Sequence, residues 1–256
     1  MFHAHHINNT YRRPQYLLWY VYLLAAVFLM CLTSFAYAQP LDHIKVNGQN
    51  VKVEDMSSTP VPGLYRLRLA GGTVVYSDAQ AHYLLTGDMY ENTTTGLVNL
   101  SDIRARQERK EALAKLSPQH FVNFRSANGV KGSVIVFTDV TCTYCQAFHN
   151  DVPSLNQQGI EVRYLPYPRA GEDSPAAAEM AQVWCSRNAQ ESLNNAISGQ
   201  APTTTAGQCT ALVNQSYELG KRMGVKGTPT IIYADGTLQN GYLSQAQLIQ
   251  QVKQHQ

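Results

Sequence analysis

The sequence predicts a C-terminal α/β domain preceded by a small, mostly-β unit, with a charged helix between them. Three observations carry this. A β-branched run over 132–138 leads straight into a helical pattern holding Cys142 and Cys145. Further on come a strand, helices, two strands around Asp235-Gly236 and a last helix, an order that suits a mixed sheet. Before residue 98 the chain is a series of short alternating runs separated by turn residues.

With 256 residues, 44% hydrophobic and 15% charged, the composition is that of a globular protein of one large or two small domains. The net charge of +2, with no basic stripe interleaved with aromatics, argues against nucleic acid as a partner. Residues 1–38 differ in kind. Arg12 and Arg13 precede an apolar run over 17–32, and the segment ends Ala36-Tyr37-Ala38. A basic start, apolar middle and small-x-small end predict a secretory signal peptide cleaved after Ala38. An uncleaved anchor is the alternative, because the run approaches the ~20 residues that span a bilayer. Cys31 follows Phe28-Leu29-Met30, without the small residue expected before a lipid-attachment cysteine, and would leave with the signal. Cys142, Cys145, Cys185 and Cys209 remain, an even set that in an exported chain points to disulfide chemistry.

Residues 39–98 form the first domain. Gly63–Ala70 alternates well, with Thr73–Tyr76 and His82–Thr86 as antiparallel neighbours, and Pro60–Gly63, Gly71-Gly72 and Asn92–Gly96 read as turns. So small a unit with no cysteine staple is marginal alone, which favours pairing with a second copy; packing onto its own chain is the other solution. Residues 99–118 are a linker. Strong helix formers fill 101–116, Glu111 and Lys115 are spaced as an i,i+4 pair, and Ser117-Pro118 ends the pattern. Few apolar positions make it a solvated connector.

Residues 119–256 carry the chemistry. Gly132–Thr138 has the composition of a strand buried on both faces. Cys145, Phe148, Val152 and Leu155 recur at helical steps, with Thr141 as the expected N-cap and Cys142 in the first turn. Unpaired N–H groups and the positive end of the helix dipole favour a thiolate there. Cys142 is therefore the expected nucleophile, and Cys145, on the same side and turned further inward, the resolving thiol. A lone Cys-x-x-Cys also suits half a zinc site or an inert bridge, but the strand-then-helix setting favours redox. Gly159–Tyr167 is the second strand of a βαβ unit, 174–197 and 206–223 are helical, Asp235-Gly236 joins a hairpin, and a final helix covers about 244–252. The short spacing of the first two cysteines leaves Cys185 with Cys209. Neither has a partner three residues away, so that pair reads as structural, worth ~3 kcal/mol.

With Gly227-Thr228-Pro229 far downstream of the motif, the second domain resembles the thioredoxin fold. Phe137–Cys145, Val162–Arg169 and Gly224–Pro229 are similar to the periplasmic disulfide isomerases of Gram-negative bacteria, the DsbC/DsbG type, and Thr59–Tyr65 through Asp88–Tyr90 to that family's N-terminal dimerisation domain. The resemblance implies a homodimer, an exposed nucleophile at Cys142 with Cys145 its partner, a cis Pro229, and Thr228 pairing through its backbone with an extended substrate. Cys185 and Cys209 match a structural disulfide of the isomerase branch. Thr143 and Tyr144 border the nucleophile and tune it; they depart from the Gly-Tyr and Pro-Tyr of better-known members, which leaves the oxidase–isomerase balance open. Tyr144 also offers a flat apolar contact to unfolded substrates. His149 reads as a helix-surface residue, with a metal or thiolate role as the alternative. Asp139 is either a proton acceptor for Cys145 or a residue that shapes the turn.

The function expected is a thiol–disulfide isomerase and reductase acting on misoxidised or unfolded exported proteins in the periplasm. It would need no metal or organic cofactor and would be kept reduced by a DsbD-type membrane partner. Competing readings are a net dithiol oxidase, a DsbG-like reductase of sulfenylated cysteines, a chaperone whose dimer cleft does the work with redox secondary, and a zinc protein.

Overall fold

The computed structural model describes residues 41–200 and 209–256; the expected signal segment and Cys31 lie outside the described residues. Strands β1 (His43–Val46), β2 (Gln49–Ser58), β3 (Tyr65–Leu69), β4 (Val74–Ser77) and β5 (Leu84–Leu85) follow one another as an antiparallel five-stranded sheet. Ile44, Val53, Leu67, Leu69, Val75 and Tyr76 are its buried hydrophobic residues. Strands β1 and β2 escape the sequence reading because Lys52, Glu54 and Asp55 interrupt the apolar alternation and a bulge shifts the register between Val53 and Asp55. Their turn, Asn47-Gly48, has both residues at positive φ, 50° and 80°, the geometry a two-residue hairpin needs. It is a tighter hairpin signal than Asp235-Gly236. A separate hairpin, β6 (Tyr90–Thr93) and β7 (Gly96–Asn99), completes this region. Tyr83, Leu85 and Leu97 are exposed here, at 77%, 57% and 70%.

Helix α1 (Leu100–Ala114) begins at Asn99, whose side chain accepts the Asp102 N–H at 2.9 Å. It is not merely a solvated connector. Arg66 of β3, itself buried, donates twice to Glu108 at 3.1 and 3.0 Å. On the other side Arg106 reaches Asp235 at 3.3 Å and Arg109 donates to the Gly236 carbonyl at 2.6 Å. Glu111 takes its bond from Gln107 at 2.7 Å rather than from Lys115. The charges that make the helix look solvated tie it to both domains.

The second sheet has the order β12-β11-β9-β10-β8, from β8 (Val122–Phe124), β9 (Gly132–Thr138), β10 (Ile160–Pro166), β11 (Thr230–Ile232) and β12 (Leu238–Asn240). Strands β9 and β10 are parallel and the other pairings antiparallel, so the sheet is mixed. Helix α2 (Thr143–Gln157) makes the crossover between the parallel strands. The expected helical stretch over 174–197 breaks at Ser186 into α3 (Pro175–Cys185) and α4 (Ala189–Ile197); α5 (Thr210–Met223) and α6 (Gln245–Gln254) follow. Alternation along β9 splits the core. Val134 and Val136 cluster with Phe148, Val152 and Leu155 of α2, while Phe137 faces Leu219 and Met223 of α5 and Leu113 of α1. Strand β8, an edge strand of three residues, was too short for its periodicity to register. Among the described residues no helix is long and apolar enough to cross a membrane.

Candidate active site

The site lies where β9 ends and α2 starts, at the carboxyl end of a central strand. The turn between them is organised by Asp139, 1% exposed. Its Oδ1 accepts the Thr141 N–H and hydroxyl at 2.8 and 2.7 Å. Its Oδ2 accepts the Arg169 backbone N–H and Nε at 2.8 and 3.2 Å. Four donors hold the carboxylate, and through them Asp139 shapes the turn.

With Thr141 held in that turn, it is not the helix cap. Cys142 is: its backbone is extended, at φ −93° and ψ 117°, and its Sγ accepts the Cys145 N–H at 3.3 Å. The same sulfur sits 3.2 Å from the Thr228 carbonyl oxygen. The Thr228–Pro229 peptide is cis. Its loop is anchored by Gly241 N–H donating to the Pro229 carbonyl at 2.8 Å and by the Thr230 hydroxyl, 2.7 Å from the Gly227 carbonyl and 2.9 Å from Asn240 Oδ1.

The resemblance implies an exposed thiol at Cys142, yet it is 3% exposed against 1% for Cys145. The cis-proline loop covers it. What separates the two sulfurs is hydrogen bonding. The Cys145 thiol, the Thr228 side chain and the Cys145 N–H stabilise a thiolate on Cys142, with Arg169 adding positive charge, and together they overcome burial to bring its pKa down to about 5. Burial, and then the bond to Cys142, push the Cys145 thiol well above its ordinary value. One proton is thus shared unequally. Cys142 holds the negative charge and Cys145 keeps the proton, which is the arrangement a nucleophile and its resolving partner require.

Thr143 and Tyr144 lie on the open side of the helix, Tyr144 66% exposed beside the nucleophile. His149 is half-buried on α2: Nδ1 is 3.0 Å from the Tyr164 hydroxyl and Nε2 2.7 Å from Asn194 Oδ1. Burial holds it below the usual imidazole range, so it stays neutral with both nitrogens engaged. Among the described residues no group of three or more His, Cys, Asp or Glu could hold a metal ion. Cys185 and Cys209 are joined in a disulfide, 24 positions apart, linking the end of α3 to the start of α5. Arg169 escaped sequence reasoning as a site residue. The signal was available: an acid next to a buried strand needs a counter-charge, and Arg169 ends the next strand's loop.

Two family models match the chain: a disulfide bond isomerase protein N-terminal domain over residues 35–102, and a thioredoxin-like domain over 123–256. The chain is 30% identical to the thiol:disulfide interchange protein DsbC of Escherichia coli K12 over 210 residues, covering 80% of this chain and 84% of that protein. It is 31% identical over 211 residues to DsbC of Haemophilus influenzae, 82% and 88% of the two chains. With DsbC of Pasteurella multocida it shares 28% identity over 234 residues, 91% and 99% of the two.

Proposed function

This chain belongs to the DsbC family of thiol:disulfide interchange proteins, and from that premise we propose that it reshuffles incorrect disulfides in exported proteins, Cys142 attacking and Cys145 resolving. The observation that carries the assignment of roles is the unequal hydrogen bonding of the two thiols at the head of α2. The Cys142 thiolate attacks one sulfur of a substrate disulfide; that S–S bond breaks and its electron pair leaves on the other substrate sulfur. A second substrate thiolate then displaces Cys142, completing isomerisation with no net redox change. Alternatively Cys145 displaces the substrate, which leaves reduced while the enzyme leaves oxidised.

The second route needs an external dithiol to return the enzyme to its reduced form, the part a DsbD-type membrane reductant would play. Thr228 would pair with an extended substrate segment through its backbone, with Pro229 and Thr143 bordering the nucleophile and Tyr144 offering an aromatic surface. A homodimer through the first domain accounts for exposed Tyr83, Leu85 and Leu97 and for the two-residue edge strand β5. Export to the periplasm, with cleavage after Ala38, places the dithiol where disulfides form.

The reduction potential of the Cys142–Cys145 pair in glutathione buffers, run beside refolding of scrambled ribonuclease, tests this reading. A potential of roughly −180 mV or lower with reactivation of the substrate is the expected result. A value near −120 mV without reactivation would make the protein a net oxidase.

A further inference from the structure

We propose that the Thr138 hydroxyl is a hydrogen-bond donor held in reserve for the Cys145 thiolate while the mixed disulfide is resolved; the inference rests on the exchange chemistry proposed above. Along β9, Val134, Val136 and Thr138 fall on one face. The two valines pack with Phe148, Val152 and Leu155 of α2, and Cys145 is the first residue of that same buried helix face. Thr138, last in the strand, therefore lies under the first turn of the helix, where a valine of the same shape would extend the apolar column.

A hydroxyl is buried there instead. Thr138 is 0% exposed and its Oγ1 has no hydrogen-bond partner. An unpaired buried hydroxyl opposes folding, so its presence asks for a reason outside the resting fold. The reacting sulfur beside it supplies one. A thiol is a weak acceptor, whereas a thiolate is a strong one, so the donor is called on only when Cys145 loses its proton. Consistent with this, the Thr138 side chain favours the Cys145 thiolate, as do the Thr228 side chain and the Asp139 backbone, against the burial that raises its pKa.

Several of the other polar groups around the pair are committed. Asp139 is held by Thr141 and Arg169, and the Tyr164 hydroxyl is bonded to His149. Glu179, on α3, is held above the usual carboxylate range by burial and by the Asp139 charge. The Thr228 hydroxyl is the one other unpaired buried hydroxyl at the site among the described residues, and it acts on both sulfurs.

In the step concerned, Cys145 gives up its proton and its thiolate attacks Cys142 Sγ within the mixed disulfide. The Cys142–Cys145 bond forms as the Cys142–substrate bond breaks. The electron pair leaves on the substrate sulfur, which takes up a proton, and two electrons pass from enzyme to substrate. A donor used by the thiolate and not by the thiol lowers this barrier without tightening the resting state.

The test is single-turnover exchange between the reduced chain and a fluorogenic peptide disulfide, comparing wild type with Thr138→Val and Thr138→Ser. Formation of the mixed disulfide should stay within about twofold of wild type in both variants, whereas its resolution should slow roughly tenfold in Thr138→Val and recover in Thr138→Ser. The thermal midpoint of Thr138→Val should be no lower than that of wild type, because an unpaired hydroxyl has been removed. Resolution by Thr138→Val at the wild-type rate, equal slowing in Thr138→Ser, or a lowered midpoint would each overturn the role of Thr138 while leaving the exchange chemistry standing. Failure of wild type to form any mixed disulfide would overturn both.

Discussion

Among the described residues two cysteines stand at helix N-caps, and they meet opposite fates. Cys142 caps α2 with its own sulfur, accepting the Cys145 N–H, and is a free thiol. Cys209 caps α5 with its backbone in the α region and no side-chain capping bond, and its sulfur is tied to Cys185. A helix N-terminus is therefore not enough to activate a cysteine. The sulfur itself must occupy the cap, and in Cys142 the extended backbone set by the Asp139 turn puts it there. Spacing separates the pairs further: three residues keep two thiols on one helix face for exchange, while 24 positions span two helices and make a brace.

The largest test of this contrast is deletion of each pair. Cys142→Ala should lower exchange with a peptide disulfide by about a thousandfold or more. The double variant Cys185→Ala, Cys209→Ala should keep most of that activity at low temperature but lose ~3 kcal/mol in urea unfolding. Equal loss of exchange in both would mean that the second pair is also a redox relay.

Cys145→Ala sharpens the roles within the first pair. It should accumulate mixed disulfides on non-reducing gels, and the pKa of Cys142, followed by thiolate absorbance, should rise from about 5 because the Cys145 thiol is the leading cause of its depression. An unmoved titration would show that the backbone and Thr228 suffice.

The pairs should also differ in how pH acts on stability. Cys142 is held well below its ordinary value, so between about pH 5 and ~8.5 the unfolded chain binds a proton there that the folded chain does not. Its contribution to the stability of the reduced protein is complete above that window and is lost as pH falls through 5. The Cys185–Cys209 disulfide has no thiol to titrate and adds no slope of its own. Denaturation of wild type and Cys142→Ser across this range should isolate the difference, and parallel curves would mean that the thiolate is not stabilised by folding.

The smallest effect belongs to Arg169, whose side chain is 45% exposed while its partner Asp139 is 1% exposed. Arg169→Gln should cost about 1–2 kcal/mol, since water can partly replace the exposed guanidinium. It should raise the Cys142 pKa slightly, because Arg169 acts on that sulfur through its charge alone. A loss of several kcal/mol would place the Asp139 turn under greater dependence on that one partner.

By itself the sequence determined the strand-to-helix setting of Cys142 and Cys145, the mixed α/β order, the hairpin at Asp235-Gly236 and the partition of the four cysteines into two pairs. Each of these is written in local periodicity, spacing and turn residues, which act over a few positions. Tertiary structure decided the rest. Thr141 looks like the cap until Asp139, braced by Arg169 thirty positions away, holds it in the turn and passes the cap to Cys142. Cys142 reads as exposed until the Thr228–Pro229 loop arrives from 86 positions downstream and covers it. The charges of α1 read as solvated until Arg66 and Gly236, 42 positions before Glu108 and 127 after Arg109, take them up. Periodicity reports which face of an element is buried. It carries no record of which distant group will meet it, and it is those meetings that set the protonation of the two thiols.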